Sequence, residues 1–207
     1  MMLGNTLEND FFKRDTVEVA KNLIGKKIIR NISGNFFCAK IVETEAYLGL
    51  NDKACHSYGG NITKRNKTLY LEGGHIYVYL IYGMYNLLNI VTRDKDHPEA
   101  VLIRAIEPVD NLDGISQNRF GKNYKDLSNY QKKNLCNGPG KLSMALCIDR
   151  SLNEKILSED YLFILDGENL SNEDIVTTKR IGIDYAGEDA KLPLRFYLKN
   201  NPHVSSK

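Results

Sequence analysis

The chain is short of cysteine, of long apolar runs and of net charge, and each shortage removes a class of protein. Its four cysteines are Cys38, Cys55, Cys136 and Cys147. They form no C-x-x-C pair and no zinc-like spacing with histidine, so neither a disulfide framework nor a structural zinc site is expected. Free, buried thiols in a reducing compartment are the expectation instead. Cys55 and His56 are adjacent, but two ligands without two more hold no metal. No stretch reaches about 18 apolar residues, so no helix should span a membrane. Glu8 and Asp10 interrupt any apolar run near the start, so no signal peptide is expected and the chain reads as cytoplasmic. A formal net charge of +2 neither demands nor excludes a nucleic-acid partner, which needs only a local basic patch. No repeat, linker or low-complexity segment divides the chain. At 207 residues, 42% hydrophobic and 26% charged, residues 1–207 read as one globular domain.

What the sequence does have is concentrated in residues 75–90. Ile76, Val78 and Leu80 alternate with Tyr77 and Tyr79, the period of a strand with an apolar face and a tyrosine face. The alternation breaks at Tyr82-Gly83-Met84. Gly83 can take positive φ, so a hairpin tip is expected there, with a return strand over Tyr85–Thr92. Tyrosine is ordinary in strands. A tyrosine and a methionine at a tip are not, because turns favour small polar residues. Such a tip is suited to wedging into a base stack.

The remaining elements follow from capping, alternation and turn residues. Residues 1–12 read as extended or coiled. Asp15 caps a helix that Glu18 supports and Gly25 stops. Strands are expected over Lys27–Ile32 and 36–47, joined by a Ser33-Gly34-Asn35 turn. Residues 48–68 are a polar loop long enough to be functional, with Lys64, Arg65 and Lys67 within four positions. Residues 100–106 read as a nearly continuous apolar strand, central in its sheet, interrupted by Arg104. That guanidinium needs an anionic partner, in a structural ion pair or in a site. Residues 109–136 are polar and partly helical, with Lys122, Lys125, Lys132 and Lys133 forming a basic surface. The turn at 137–141 opens a helix over 142–148, and its amides with Lys141 can hold a phosphate. Short strands are expected at 161–165, Ile175–Thr178, 181–183 and 194–198. The sum is an α/β (α+β-like) fold: a single compact domain with a curved, mostly antiparallel sheet, a protruding β-hairpin and flanking helices.

Glu43, Glu45 and Tyr47 share one face of the strand over 36–47. Carboxylates at i and i+2 are either a wet strand face or an acid–base pair. Acting as a pair, their natural chemistry is hydrolysis of a glycosidic bond.

The exact strings carry further. They are Val42-Glu-Thr-Glu-Ala-Tyr-Leu-Gly49, His56, Arg65-Asn66, Tyr77-Val-Tyr-Leu-Ile-Tyr-Gly-Met-Tyr85, Asn89, Leu102-Ile-Arg-Ala-Ile-Glu-Pro108, Asn137-Gly-Pro-Gly-Lys-Leu142 and Pro193-Leu-Arg-Phe-Tyr197, in this order. The series covers nearly the whole chain and resembles the alkyladenine (3-methyladenine) DNA glycosylase family, the single-domain type without a helix-hairpin-helix. The resemblance implies a monofunctional hydrolase of base-excision repair. Its partner would be double-stranded DNA with alkylated or deaminated purines, flipped into a pocket and released to leave an abasic site. It also implies a monomer that needs no cofactor, metal or membrane. Glu45 matches the catalytic base and Arg104 the residue that helps hold the attacking water. Tyr47 matches one face of the base pocket, His56 and Tyr79 the other. The His56 backbone amide is expected at the base edge, and Asn89 where it crowds the 2-amino group of guanine. Tyr82 matches the intercalating residue, with Met84 beside it. Arg65, Asn66 and Lys141 are expected at the DNA backbone. No matched pocket position is a lysine, so no enzyme-linked intermediate is implied, and Glu43 has no assigned role. Leu50 stands where many relatives have proline, and Leu87-Leu88 occupy variable pocket positions. The implied substrates are 3-methyladenine first, then 7-methylguanine, hypoxanthine and ethenoadenine. Two rivals stand beside this reading: a hydrolase of free glycosides using Glu43 and Glu45, and a catalytically silent nucleic-acid binder.

Overall fold

The computed structural model of the protein describes residues 4–168 and 170–206. Its strands are β1 (Lys27–Ile32), β2 (Asn35–Tyr47), β3 (Ile76–Ile81), β4 (Tyr85–Thr92), β5 (Glu99–Asp110), β6 (Leu162–Leu165), β7 (Ile175–Thr178) and β8 (Arg195–Leu198). All eight lie in one antiparallel sheet, ordered β3-β4-β5-β2-β1-β6, with β8 added to β2 and β7 to β8. The single domain with a curled antiparallel sheet agrees with the sequence expectation.

β2 is the hub. β5 runs along one of its edges, while the other edge pairs first with β1 over residues 35–40 and then with β8 over residues 43–45. The register between β2 and β5 shifts on both sides of Glu43, so that Glu43 pairs with Ala105 and Thr44 with Ile103. Arg104 is the residue left over on β5. Irregularities of this kind bend a strand and re-aim its side chains, and here they bring Arg104 onto the face of Glu43 and Glu45.

Helices α1 (Asn9–Phe12), α2 (Thr16–Asn22), α3 (Leu112–Phe120), α4 (Asn129–Lys133) and α5 (Pro139–Ala145) pack around the sheet. The Asp15 carboxylate accepts from the amides of Val17 and Glu18 and starts α2 as expected. Ile41, Ala46, Ile76, Val78, Leu88, Ile90, Val101 and Ile103 share the main core with Val19, Ala20 and Leu142 of the helices. Tyr77 belongs instead to a smaller cluster with Cys55, Leu69, Val91 and Ala100, and Tyr79 packs against it. Both faces of β3 are thus covered at its base, and side chains become exposed only toward the tip.

Three expectations are corrected. The stretch before Asp15 is not wholly extended: α1 makes one turn because Phe12 is drawn fully into the core. α5 begins at Pro139 and ends at Ala145, earlier at both ends than expected. A proline lacks the N–H that a first helical turn would leave unpaired. Residues 181–183 form no strand, because the Ile181 amide donates to a carboxylate rather than to a ladder.

The hairpin tip is tighter than a lone glycine requires. Tyr82 and Gly83 have φ of 54° and 70°, and Ile81 O accepts from Met84 N at 3.2 Å. Two consecutive positive φ values are the mark of a type I′ turn, whose twist suits a two-stranded ribbon. Among the described residues no helix is long and apolar enough to cross a membrane. Cys38, Cys55 and Cys136 are buried free thiols, and Cys147 is free and exposed.

Candidate active site

Glu43 and Glu45 have no exposed surface, which overturns the wet strand face. The Arg104 and Arg195 guanidinium groups and the Ile181 and Ser205 amides cover this face of β2, and a carboxylate so buried must be matched. Glu45 Oε1 accepts from the Ile181 amide at 2.8 Å and lies 3.2 Å from Arg104 Nη1. Glu45 Oε2 accepts from the Tyr47 hydroxyl at 2.8 Å. Burial raises the Glu45 carboxyl above the ordinary glutamate range, against the opposing pull of Arg104, the Ile181 amide and Tyr47. Glu43 takes the other side of Arg104, with Oε1 accepting from Nε at 3.1 Å.

A cavity of about 610 Å³ opens beside this carboxylate, lined by Tyr47, His56, Tyr77, Tyr79, Asn89 and Arg104 among others. That volume is in the range of pockets that enclose one small molecule, about 300–1,000 Å³. The His56 and Tyr79 rings meet edge-on with centroids 4.5 Å apart, and Tyr77 stands 5.4 Å behind Tyr79. His56 Nδ1 and the Tyr77 hydroxyl are 2.8 Å apart. Burial, then the charge of Arg65, lowers the His56 pKa to about 4, so the ring is neutral near pH 7. Its backbone N–H makes no hydrogen bond among the described residues. At the cavity floor Asn89 Nδ2 donates to Tyr77 O and Leu87 O at 3.2 and 3.3 Å, which fixes the amide across the hairpin.

The tip stands over the cavity mouth. Tyr82 lines it while 84% exposed, and Met84 is 65% exposed beside it. A side chain added at Gly140 would strike the Tyr85 ring at 2.9 Å, so the glycine lets α5 close against the tip end of the hairpin. Lys141 Nζ donates to Asn134 Oδ1 and Asn137 Oδ1 at 2.7 and 2.8 Å. Burial, then Arg119, lowers its pKa. Lys141 also lines the cavity, although it is not one of the matched pocket positions.

Of the three residues expected at the DNA backbone, Arg65 is exposed, with its guanidinium 5.3 Å from the Tyr79 centroid. Asn66 departs from expectation. It is buried, and its side chain holds the loop from within, donating to His56 O and Asn61 O and accepting from Thr63 N.

Sequence reasoning missed the segment after β7. Arg180 is buried and donates to Asp52, Ala46 O and Asp189 O, and its guanidinium lies 4.8 Å from the Tyr47 centroid. Ile181 and Tyr185 line the cavity from the same segment. The available signal was a cation beside the apolar Ile-Gly-Ile run, the same anomaly that marked Arg104. Arg195, within a short apolar strand, offered it again.

Comparisons agree with this geometry. A family profile described as Methylpurine-DNA glycosylase matches residues 10–202. A protein of Clostridium novyi (strain NT) named "Putative 3-methyladenine DNA glycosylase" is 52% identical over 201 residues, 97% of this chain and 98% of its own length. Proteins of the same name from Clostridioides difficile (strain 630) and Desulfitobacterium hafniense (strain Y51) are 50% and 47% identical. They cover 93% and 97% of this chain, and 100% and 98% of their own lengths. With a profile and near full-length relatives pointing the same way, the chain belongs to the methylpurine-DNA glycosylase family of DNA-repair enzymes.

Proposed function

We propose that the protein flips alkylated purines out of duplex DNA and hydrolyses their N-glycosidic bond with a water activated by Glu45, leaving an abasic site. 3-Methyladenine is the first substrate; 7-methylguanine, hypoxanthine and ethenoadenine are the others. The observation that carries this reading is a fully buried carboxylate held by Arg104, the Ile181 amide and Tyr47, three residues that themselves line an aromatic pocket. A carboxylate so placed takes the proton of the attacking water and offsets the positive charge that develops on the sugar. Burial makes it the stronger base.

The pocket walls fit a purine. Tyr47 takes one face of the base, and His56 with Tyr79 takes the other. A neutral His56 does not repel a cationic base, and electron-rich tyrosine rings attract one. The unspent His56 amide is a donor for the base edge. Asn89, fixed by two carbonyls, crowds a guanine 2-amino group, which disfavours normal guanine and makes 7-methylguanine a poorer substrate than 3-methyladenine. Tyr82, flanked by Met84, fills the gap left in the duplex. Arg65 and Lys141 meet phosphates.

Release of free base from an alkylated duplex tests the reading, with undamaged duplex and free nucleoside as controls. Base release confined to the alkylated duplex is the expected result. Release from free nucleoside favours a small-glycoside hydrolase, and lesion-blind binding without release favours a silent binder.

A further inference from the structure

We infer that Glu43 is a positioning residue for Arg104, latched by Ser205, an inference that rests on the role proposed for Glu45. Glu43 is fully buried and receives four hydrogen bonds. Its Oε1 accepts from Arg104 Nε at 3.1 Å, Arg195 Nε at 2.7 Å and Ser205 Oγ at 2.8 Å, and its Oε2 accepts from the Ser205 amide at 2.7 Å. Arg195 also donates through Nη2 to Ser206 O. It sits on β8 opposite Glu45 in the ladder. The segment 205–206 therefore closes over the carboxylate from the side away from β5.

The geometry of the guanidinium gives this arrangement its purpose. Arg104 presents a rigid planar fork of five donors. A guanidinium facing one buried carboxylate settles into a two-pronged pair, which neutralises it most completely. Here Nε is committed to Glu43, which closes the side-on pairing of Nε and Nη2 with Glu45, and Nη1 stands 3.2 Å from Glu45 Oε1. Nη2 makes no hydrogen bond among the described residues, and Arg104 lines the cavity. Glu43 thus divides the guanidinium, leaving Glu45 competent as a base and a donor free for the attacking water. Ser205 holds Glu43 in that pose, and Arg195 balances the second buried negative charge.

The test compares Glu43→Gln, a chain stopped after Val204, and Ile29→Val as a destabilised control in a cluster apart from the site. The glutamine amide has only one acceptor oxygen where the carboxylate has two, and the shortened chain loses both Ser205 donors. Single-turnover base release should fall roughly ten- to a hundredfold in the first two, the cost of a small misplacement at a reacting centre. Affinity for a lesion duplex should stay within about twofold, since no DNA contact is touched. Parental rates in both variants would overturn the inference. So would a loss matched by Ile29→Val at an equal fall in melting temperature. Should Glu43→Gln fail to fold, the shortened chain decides alone. A parent that releases no base removes the reading of the site itself, and the positioning role with it.

Discussion

Arg180 and Asp52 form a two-pronged ion pair, Nη1 to Oδ2 at 2.5 Å and Nη2 to Oδ1 at 2.8 Å, with both side chains buried. It joins the segment that carries Ile181 to the loop that carries His56, beneath the ring of Tyr47. Asp52→Ala would leave a guanidinium buried and unmatched. The expected loss of stability is about 3–5 kcal/mol, read by chemical or thermal unfolding. A loss below about 1 kcal/mol would mean that water or another carboxylate takes over.

Glu45→Gln keeps the size of the side chain but cannot take a proton. It should bind a lesion duplex about as well as the parent and release base about 10²–10⁴-fold more slowly. Glu43→Gln should be milder. EDTA should change neither, since no group of three or more His, Cys, Asp or Glu among the described residues is placed to hold a metal. An active Glu45→Gln beside a dead Glu43→Gln would reverse the assignment.

The pH profile has a defined sign. The Glu45 carboxyl is raised above its ordinary 4.5, so its protonated form persists to higher pH. Because the proposed mechanism needs the carboxylate, base release should fall on acidification with an inflection above 4.5. His56, neutral down to about 4, should add no inflection near neutral pH. Single-turnover rates across pH check this, and a midpoint at or below 4.5 counts against the assignment.

Tyr82 sets stability against function. It is a non-glycine residue at φ 54°, a conformation that costs an L-residue about 1–2 kcal/mol. Tyr82→Gly should therefore raise stability by about 1 kcal/mol while weakening lesion-duplex affinity about tenfold, because stacking is worth on the order of 1–3 kcal/mol per base. Equal affinity in the two proteins would remove Tyr82 from the DNA.

Asn89→Ala should raise release of normal guanine relative to 3-methyladenine. Both bases measured from one DNA sample decide the matter. An unchanged ratio with lowered stability would make Asn89 a hairpin brace only.

Lys141 lines the cavity with its amine held by Asn134 and Asn137. Both hydrogen bonds commit the amine to the protein's own carboxamides. The product should therefore be an intact abasic site. A protein–DNA adduct trapped by borohydride would show that Lys141 attacks the sugar.

The strands of the sheet were legible because alternation and turn residues are local. The hairpin, β2, β5 and the α2 cap came from such signals. What escaped depended on partners far along the chain. Whether Glu43 faces water cannot be read from its neighbours, since the residues that bury it are Arg104, Arg195 and Ser205. Ile181 was expected in a strand on the strength of its apolar neighbours, and a carboxylate from β2 took its amide instead. Asn66 was expected at the DNA beside Arg65, as the resemblance implies, yet its amide organises the loop. The resemblance supplied the residues matched to the reaction, and the structure supplied those that hold them.

The way β2 shares its edge between β1 and β8 has a consequence in time. Glu45 meets the Ile181 amide across 136 positions of sequence, and Glu43 meets Ser205 across 162. Contacts so distant form late, after the loops between them have closed. A chain still emerging from the ribosome can build the hairpin and the aromatic walls, but not the finished carboxylate site. On the proposed mechanism, hydrolytic competence therefore arrives with the last strand, and a copy that lacks β8 and the residues after it should be able to touch DNA without cutting a base from it.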